Sequence, residues 1–170
     1  MYELIKTYWQ LCLLRLGPQD LPNSSVLLYA TLVVYLVVDF ALTLLDLSFG
    51  ASILAALLDA GLLLAFTGFL LWGRSLPERM TQAFTALLGS GALLGALAFP
   101  ILSWQFALGV ENPNILVPSL LLLALFVWNI TVVGHIFRHA LSGSMGLGLG
   151  LAVLYVFISI NIMRSLFYTI

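Results

Sequence analysis

Apolar residues fill five stretches, Ser25 to Leu45, Ala51 to Trp72, Thr81 to Leu108, Ile115 to Phe137 and Met145 to Phe167, and polar residues gather in the short segments between them. Each stretch is near or above the roughly 20 residues that a helix needs to cross a hydrocarbon core about 30 Å thick. The stretches are apolar all round instead of alternating, which points to helices and not to barrel strands. The predicted fold class is all-α: a polytopic integral membrane bundle of five transmembrane helices in a single domain over 1–170. Lipid offers no hydrogen bonds to the backbone, so every peptide group within a span must be bonded internally.

Ahead of the first span the pattern changes. Ile5, Trp9, Cys12 and Leu16 recur at helical spacing, while Glu3, Lys6, Thr7 and Gln10 cluster on another face. This predicts a short amphipathic interfacial helix over 1–17. Gly17 and Pro18 end it, and Ser24 or Ser25 caps the first span. The connections are short: Leu47 to Gly50, the polar segment Gly73 to Arg79, Gly109 to Asn114, and Arg138 to Ser144. Connections of this length predict an up-and-down bundle in which successive spans are neighbours. Pro100 lies inside the third span and should kink it or end its regular part, whereas Pro118 falls in the first turn of span four, where proline is tolerated.

Composition narrows the class. Charged residues are 8 % and hydrophobic residues 62 % of the chain, so the surface of a water-soluble domain is missing. Six basic and seven acidic side chains leave no electrostatic footprint for nucleic acid, and no nucleic-acid partner is expected. The single cysteine, Cys12, has no partner for a disulfide and reads as a small apolar packing residue in preference to a lipidation or redox site. Lys6, Arg15, Arg74, Arg79 and Arg138 fall on the side of the N-terminus and only Arg164 toward the other face. That bias predicts a multi-pass protein of the cell inner (cytoplasmic) membrane, with the N-terminus cytoplasmic and the C-terminus outside. No cleavable signal peptide is evident, since Glu3, Lys6, Gln10 and Arg15 interrupt the first apolar residues.

The informative residues are those that do not belong in lipid. Asp39 and Asp59 each stand ten residues from Phe49, at the centre of the first hairpin, so they reach a similar depth on adjacent antiparallel helices. A carboxyl at the middle of a span costs about 2.5–3.5 kcal/mol on insertion scales, so each should face protein, water or a partner. Asp46 is seven residues from Asp39, and Arg164 lies one turn beyond Asn161 near the outer end of span five. Asp39, Asp46, Asp59, Asn161 and Arg164 could thus form one polar intramembrane cluster. It would be either a proton or cation pathway or a structural network of ion pairs and hydrogen bonds. In span four, His135 and His139 have the i, i+4 spacing of two metal ligands, but two ligands do not make a site, and packing or a partner contact competes with metal. Neither a metal nor a cofactor is expected. Gly91 and Gly95, like Gly146 and Gly150, have the spacing that lets helices approach closely, within the chain or across a dimer interface.

The segment Gly17-Pro18-Gln19-Asp20-Leu21-Pro22 before the first span, together with the five tightly connected spans, resembles the Yip superfamily of small membrane proteins. The resemblance implies a fold more than a role, and no functional residue is carried over from it. The long hydrophilic N-terminal domain of the eukaryotic members, which interact with small GTPases, has no counterpart here. Nucleophile elbow, phosphate-cradling loop and zinc-protease motifs are missing, and Asp39 and Asp59 lack the signatures of intramembrane aspartyl proteases. The expected function is non-enzymatic: an accessory, assembly or scaffold subunit whose partners are the lipid bilayer and other membrane protein subunits or further copies of itself. The alternative is a small proton- or cation-linked transporter or channel subunit using Asp39 and Asp59.

Overall fold

In the computed structural model, which describes residues 2–109 and 112–167, six α-helices account for nearly all of the chain. They are α1 (Tyr2–Cys12), α2 (Ser25–Thr43), α3 (Phe49–Gly73), α4 (Met80–Leu108), α5 (Leu116–Ala140) and α6 (Met145–Phe167). The last five are long and apolar enough to cross a membrane. Their outer faces carry large apolar side chains: Val26, Phe69 and Phe157 are 79, 70 and 65 % exposed. Apolar surface this extensive has its stable environment in lipid. Trp72, in the last turn of α3, is also exposed, as suits an aromatic side chain at a membrane boundary.

The helix ends follow from local chemistry. The Ser24 hydroxyl accepts a bond from the Leu27 N–H and caps α2. Asn112 accepts from the Asn114 N–H and opens the 3-10 turn Pro113–Ile115 that leads into α5. At the other ends of α1, α3 and α5 the chain turns through left-handed residues that are not glycine, Leu14, Ser75 and Ser142. Each is followed by an N–H that reaches back five residues, Arg15 to Gln10, Leu76 to Leu71 and Gly143 to Arg138, which satisfies the otherwise orphaned carbonyls of the last turn. Pro100 does not end α4, which continues to Leu108.

One pairing is added to the expected order of neighbours. Successive spans do touch, but the most extensive packing joins α2 to α4, which are not consecutive, and α3 touches α4 only sparingly. The sequence of contacts α2–α4–α5–α6–α3–α2 closes a ring, with α4 also receiving α1. Loop length constrained only which helices run antiparallel. Small residues decided which ones approach, because α4 is buried from Ala83 to Leu94 through a run rich in alanine, glycine and serine. A Cβ on Gly91 would stand 2.7 Å from Tyr35 of α2, and one on Gly95 would stand 2.9 Å from Val38. These two glycines therefore seat α2.

Gly146 and Gly150 do not play the corresponding part in α6. A Cβ on Gly150 would meet nothing within 4 Å, and one on Gly146 only the Ser144 hydroxyl at 4.0 Å. The close crossing lies at Gly148, where a Cβ would fall 2.1 Å from the Gly134 carbonyl oxygen of α5. Gly148 projects from the face opposite Gly146 and Gly150, two residues and some 200° away on the helix. On the interior side, Phe66 of α3 stacks obliquely against Phe137 of α5 and Tyr155 of α6, with centroids 5.9 and 5.6 Å apart.

The short N-terminal helix is present and packs against α4 and α5. Tyr8, Leu11 and Cys12 are buried, and the Tyr8 ring lies over Gly89, where a Cβ would come within 2.1 Å of it. The Tyr8 hydroxyl lies next to Thr31, whose own hydroxyl donates to the Leu27 and Leu28 carbonyls, and it has no partner in hydrogen-bond geometry among the described residues. Burial pushes the Cys12 thiol from its ordinary 9.0 up to about 12. The docked thiol keeps its proton where an undocked one would ionise, so docking is at full strength below about pH 9 and weakens above it.

In detergent at pH 8, Cys12 should resist alkylation by a maleimide, both by enclosure and by its small thiolate fraction. Gly89→Leu, which displaces the Tyr8 ring, should restore labelling by at least about tenfold. Rapid labelling of the unaltered protein would show that α1 is not docked.

Candidate functional site

Asp59 lies ten residues into α3, one face of which packs against α2 and α6. Its carboxylate accepts a short hydrogen bond from the Tyr35 hydroxyl of α2 and one of 3.2 Å from the Ser159 hydroxyl of α6. Tyr155 of α6 lies beside the same group. Three helices are thus joined through one carboxyl. The Tyr35 ring that delivers the hydroxyl is the one seated on Gly91.

Asp39 lies one helical turn beyond Tyr35 on α2 and within electrostatic range of Asp59. One of its carboxylate oxygens, Oδ2, is buried and has no hydrogen-bond partner among the described residues. Asp39 borders a cavity of about 300 Å³ between α2, α4 and α5, whose wall includes Gly91, Gly95, Ala98, Leu125 and Asn129. A carboxyl oxygen left without a donor in a low-dielectric setting carries a desolvation cost of about 1–3 kcal/mol, more if charged. A donor brought into the cavity would remove that cost.

Two other members of the predicted cluster, Asp46 and Asn161, are exposed. Asp46 is exposed in the turn after α2, because the helix ends at Thr43 and the Asp46 N–H closes a turn onto the Thr43 carbonyl at 3.1 Å. The helix ends two residues before the expected Leu45, and Asp46 lies beyond it. At the end of the helix the Thr43 hydroxyl donates to the Asp39 and Phe40 carbonyls. Asn161 is exposed and donates to the Phe157 carbonyl at 2.7 Å, one turn back in α6. Arg164 lies in the last turn of α6, five residues beyond Ser159.

The histidines have specific partners. His135 is buried, and its Nε2 lies 3.0 Å from the Leu16 carbonyl, which only accepts, so Nε2 carries the proton. That nitrogen is occupied in holding the N-terminal segment. The His139 ring lies edge-on to it at 4.5 Å, and its Nδ1 is 3.5 Å from the Gln19 amide. No group of three or more ligating side chains that could hold a metal occurs among the described residues.

Sequence reasoning missed the fasteners of the N-terminal segment. The Trp128 indole N–H donates to the Cys12 carbonyl at 2.7 Å, and the Gln82 amide donates to the Leu21 carbonyl at 2.7 Å. Both are polar groups inside or beside predicted spans, and the intramembrane polarity of Trp128 was the available signal. Tyr35, Ser159 and Tyr155 were missed as well, because hydroxyl groups on apolar helices do not announce a partner in a one-dimensional pattern.

Comparisons with protein-family models, curated proteins and solved structures found no match for this chain. The fold and this site define the class: a multi-pass helical membrane protein with two carboxyls close together in its bundle, Asp59 held by hydroxyl donors and Asp39 beside it.

Tyr35→Phe removes one of the two hydroxyl donors from Asp59 and should cost about 1–3 kcal/mol of stability. Thermal unfolding in a mild detergent should show a lowered midpoint, while Asp46→Asn should leave it unchanged. Equal midpoints for Tyr35→Phe and the unaltered protein would show that the bond holds nothing together.

Proposed function

We propose that this is a non-enzymatic accessory or assembly subunit that holds another membrane protein through the groove between α2, α4 and α5. The observation that carries the reading is Asp39, one of whose oxygens has no partner among the described residues, on the wall of a cavity that also includes Gly91, Ala92, Gly95 and Ala98. Small residues let a neighbouring backbone come close, and a carboxyl in lipid is stabilised by a donor at its own depth. The occupant is accordingly a transmembrane helix that brings a basic or amide side chain level with Asp39. The basic residues at the N-terminal end of the bundle favour a cytoplasmic N-terminus in the inner membrane. The approach Gly17 to Pro22 and the five-span plan also support kinship with the Yip superfamily.

A second reading, a proton- or cation-linked transporter subunit, is favoured by the electrostatic proximity of Asp39 to Asp59 and the cavity beside them. Against it stands the closure of Asp59 by Tyr35 and Ser159, which ends the polar path at the ring interior.

Affinity purification in a mild detergent separates the two. On the first reading a stoichiometric partner accompanies the unaltered protein and is lost with Asp39→Leu, and proteoliposomes of the purified chain are no leakier than empty ones. A strictly monomeric protein whose proton or cation flux disappears with Asp39→Asn would reverse the assignment.

A further inference from the structure

A second cavity, of about 460 Å³, lies at the end of the bundle where α3 and α5 finish and α4 begins, away from the carboxyl pair. Its wall carries Arg79, Arg138, His139, Gln82, Gln19 and Ser142. It contains two guanidinium groups and no carboxylate. The nearest acid acting on His139 is Asp20, which is not part of the wall and accepts the Gly17 N–H at 2.7 Å.

The two arginines differ in what they already do. Arg79 directs Nη1 to the end of α5, donating to the Ala140 carbonyl at 3.1 Å, the His139 carbonyl at 3.5 Å and the Ser142 hydroxyl at 2.7 Å. It caps the helix and offsets the negative end of its dipole. The Arg138 side chain is exposed, and its guanidinium makes no hydrogen bond or ion pair with another described residue. Its backbone is fixed, because Gly148 of α6 packs closely against it. The cavity thus has a net positive lining, one guanidinium held in place and one open to a ligand.

We propose that this cavity binds the phosphate of an anionic phospholipid. Guanidinium groups match phosphate oxygens in geometry and charge, and basic pockets between transmembrane helices at a membrane face suit lipid headgroups. Position selects a lipid over a free ion. The cavity lies at the ends of spanning helices, and the partly exposed Leu147, which abuts Gly143 of the wall, offers apolar surface to an acyl chain. The Gln19 and Gln82 amides and the Ser142 hydroxyl supply further polar groups around the headgroup. Pro18 and Gln19 of the 3-10 turn Pro18–Asp20 line one side, so a bound lipid would also brace the N-terminal segment against α4 and α5.

The test uses the full chain in a neutral detergent, with phosphatidylglycerol, phosphatidylcholine and inorganic phosphate as probes. Native mass spectrometry should retain phosphatidylglycerol in preference to phosphatidylcholine, and phosphatidylglycerol should raise the unfolding midpoint. Arg138→Gln should weaken retention by about fivefold, the loss expected for one basic residue near a lipid surface, and Arg138→Lys should restore part of it. Arg138 is exposed and caps nothing, so its replacement leaves folding intact, and continued protection of Cys12 from alkylation verifies this. Equal retention of the two lipids, or retention unchanged in Arg138→Gln, overturns the proposal. Full competition by millimolar inorganic phosphate overturns the lipid assignment in favour of a free-anion site.

Discussion

The contact on which the rest of the bundle depends is the seat that Gly91 gives to Tyr35. With no side chain at position 91, the ring of Tyr35 lies directly against α4, and its hydroxyl is carried to Asp59 on α3. From there the Ser159 hydroxyl extends the linkage to α6. One close approach between α2 and α4 thereby satisfies a carboxyl that would otherwise be costly in lipid, and it draws four helices together. The same approach leaves Asp39, one turn further along α2, on the groove wall with its Oδ2 unpartnered among the described residues. Stability and the candidate function are two consequences of one packing geometry.

The N-terminal segment shows the complementary arrangement, in which side chains of the spans satisfy main-chain groups outside them. The Trp128 indole, the His135 imidazole and the Gln82 amide each bond a carbonyl between Cys12 and Leu21. Carbonyls at the end of a short helix and in the loop after it would be expensive beside lipid. Three polar side chains from α4 and α5 meet them. His135 is therefore explained by the chain it holds, and its spacing to His139 reflects a shared helix face.

Much of the fold was legible because transmembrane length and all-round hydrophobicity are properties of single segments. The five spans and the short helix before them are read directly from where Glu3, Arg15, Arg74, Arg79 and Arg138 interrupt apolar runs. Asp39 and Asp59 could be matched in depth, since antiparallel hairpin geometry fixes depth by counting. Rotation about a helix axis is different, because lipid-facing and protein-facing residues on α2 and α6 are equally apolar. That is why Gly146 and Gly150 looked like Gly91 and Gly95 although only Gly148 meets α5. It is also why the pairing of α2 with α4 could not be inferred from loop length. Asp46 lies in the turn that follows α2, where its N–H bonds the Thr43 carbonyl, and its side chain is exposed.

The central claim is that the groove beside Asp39 receives a helix of another protein. Site-specific photocrosslinking in intact membranes tests it most directly, with a photoreactive residue replacing Leu125 on the groove wall and, as the control, Phe157 on the exposed face of α6. The account predicts one discrete protein adduct from position 125, abolished by Asp39→Leu, and only lipid adducts from position 157. Lipid adducts alone from both positions would contradict it.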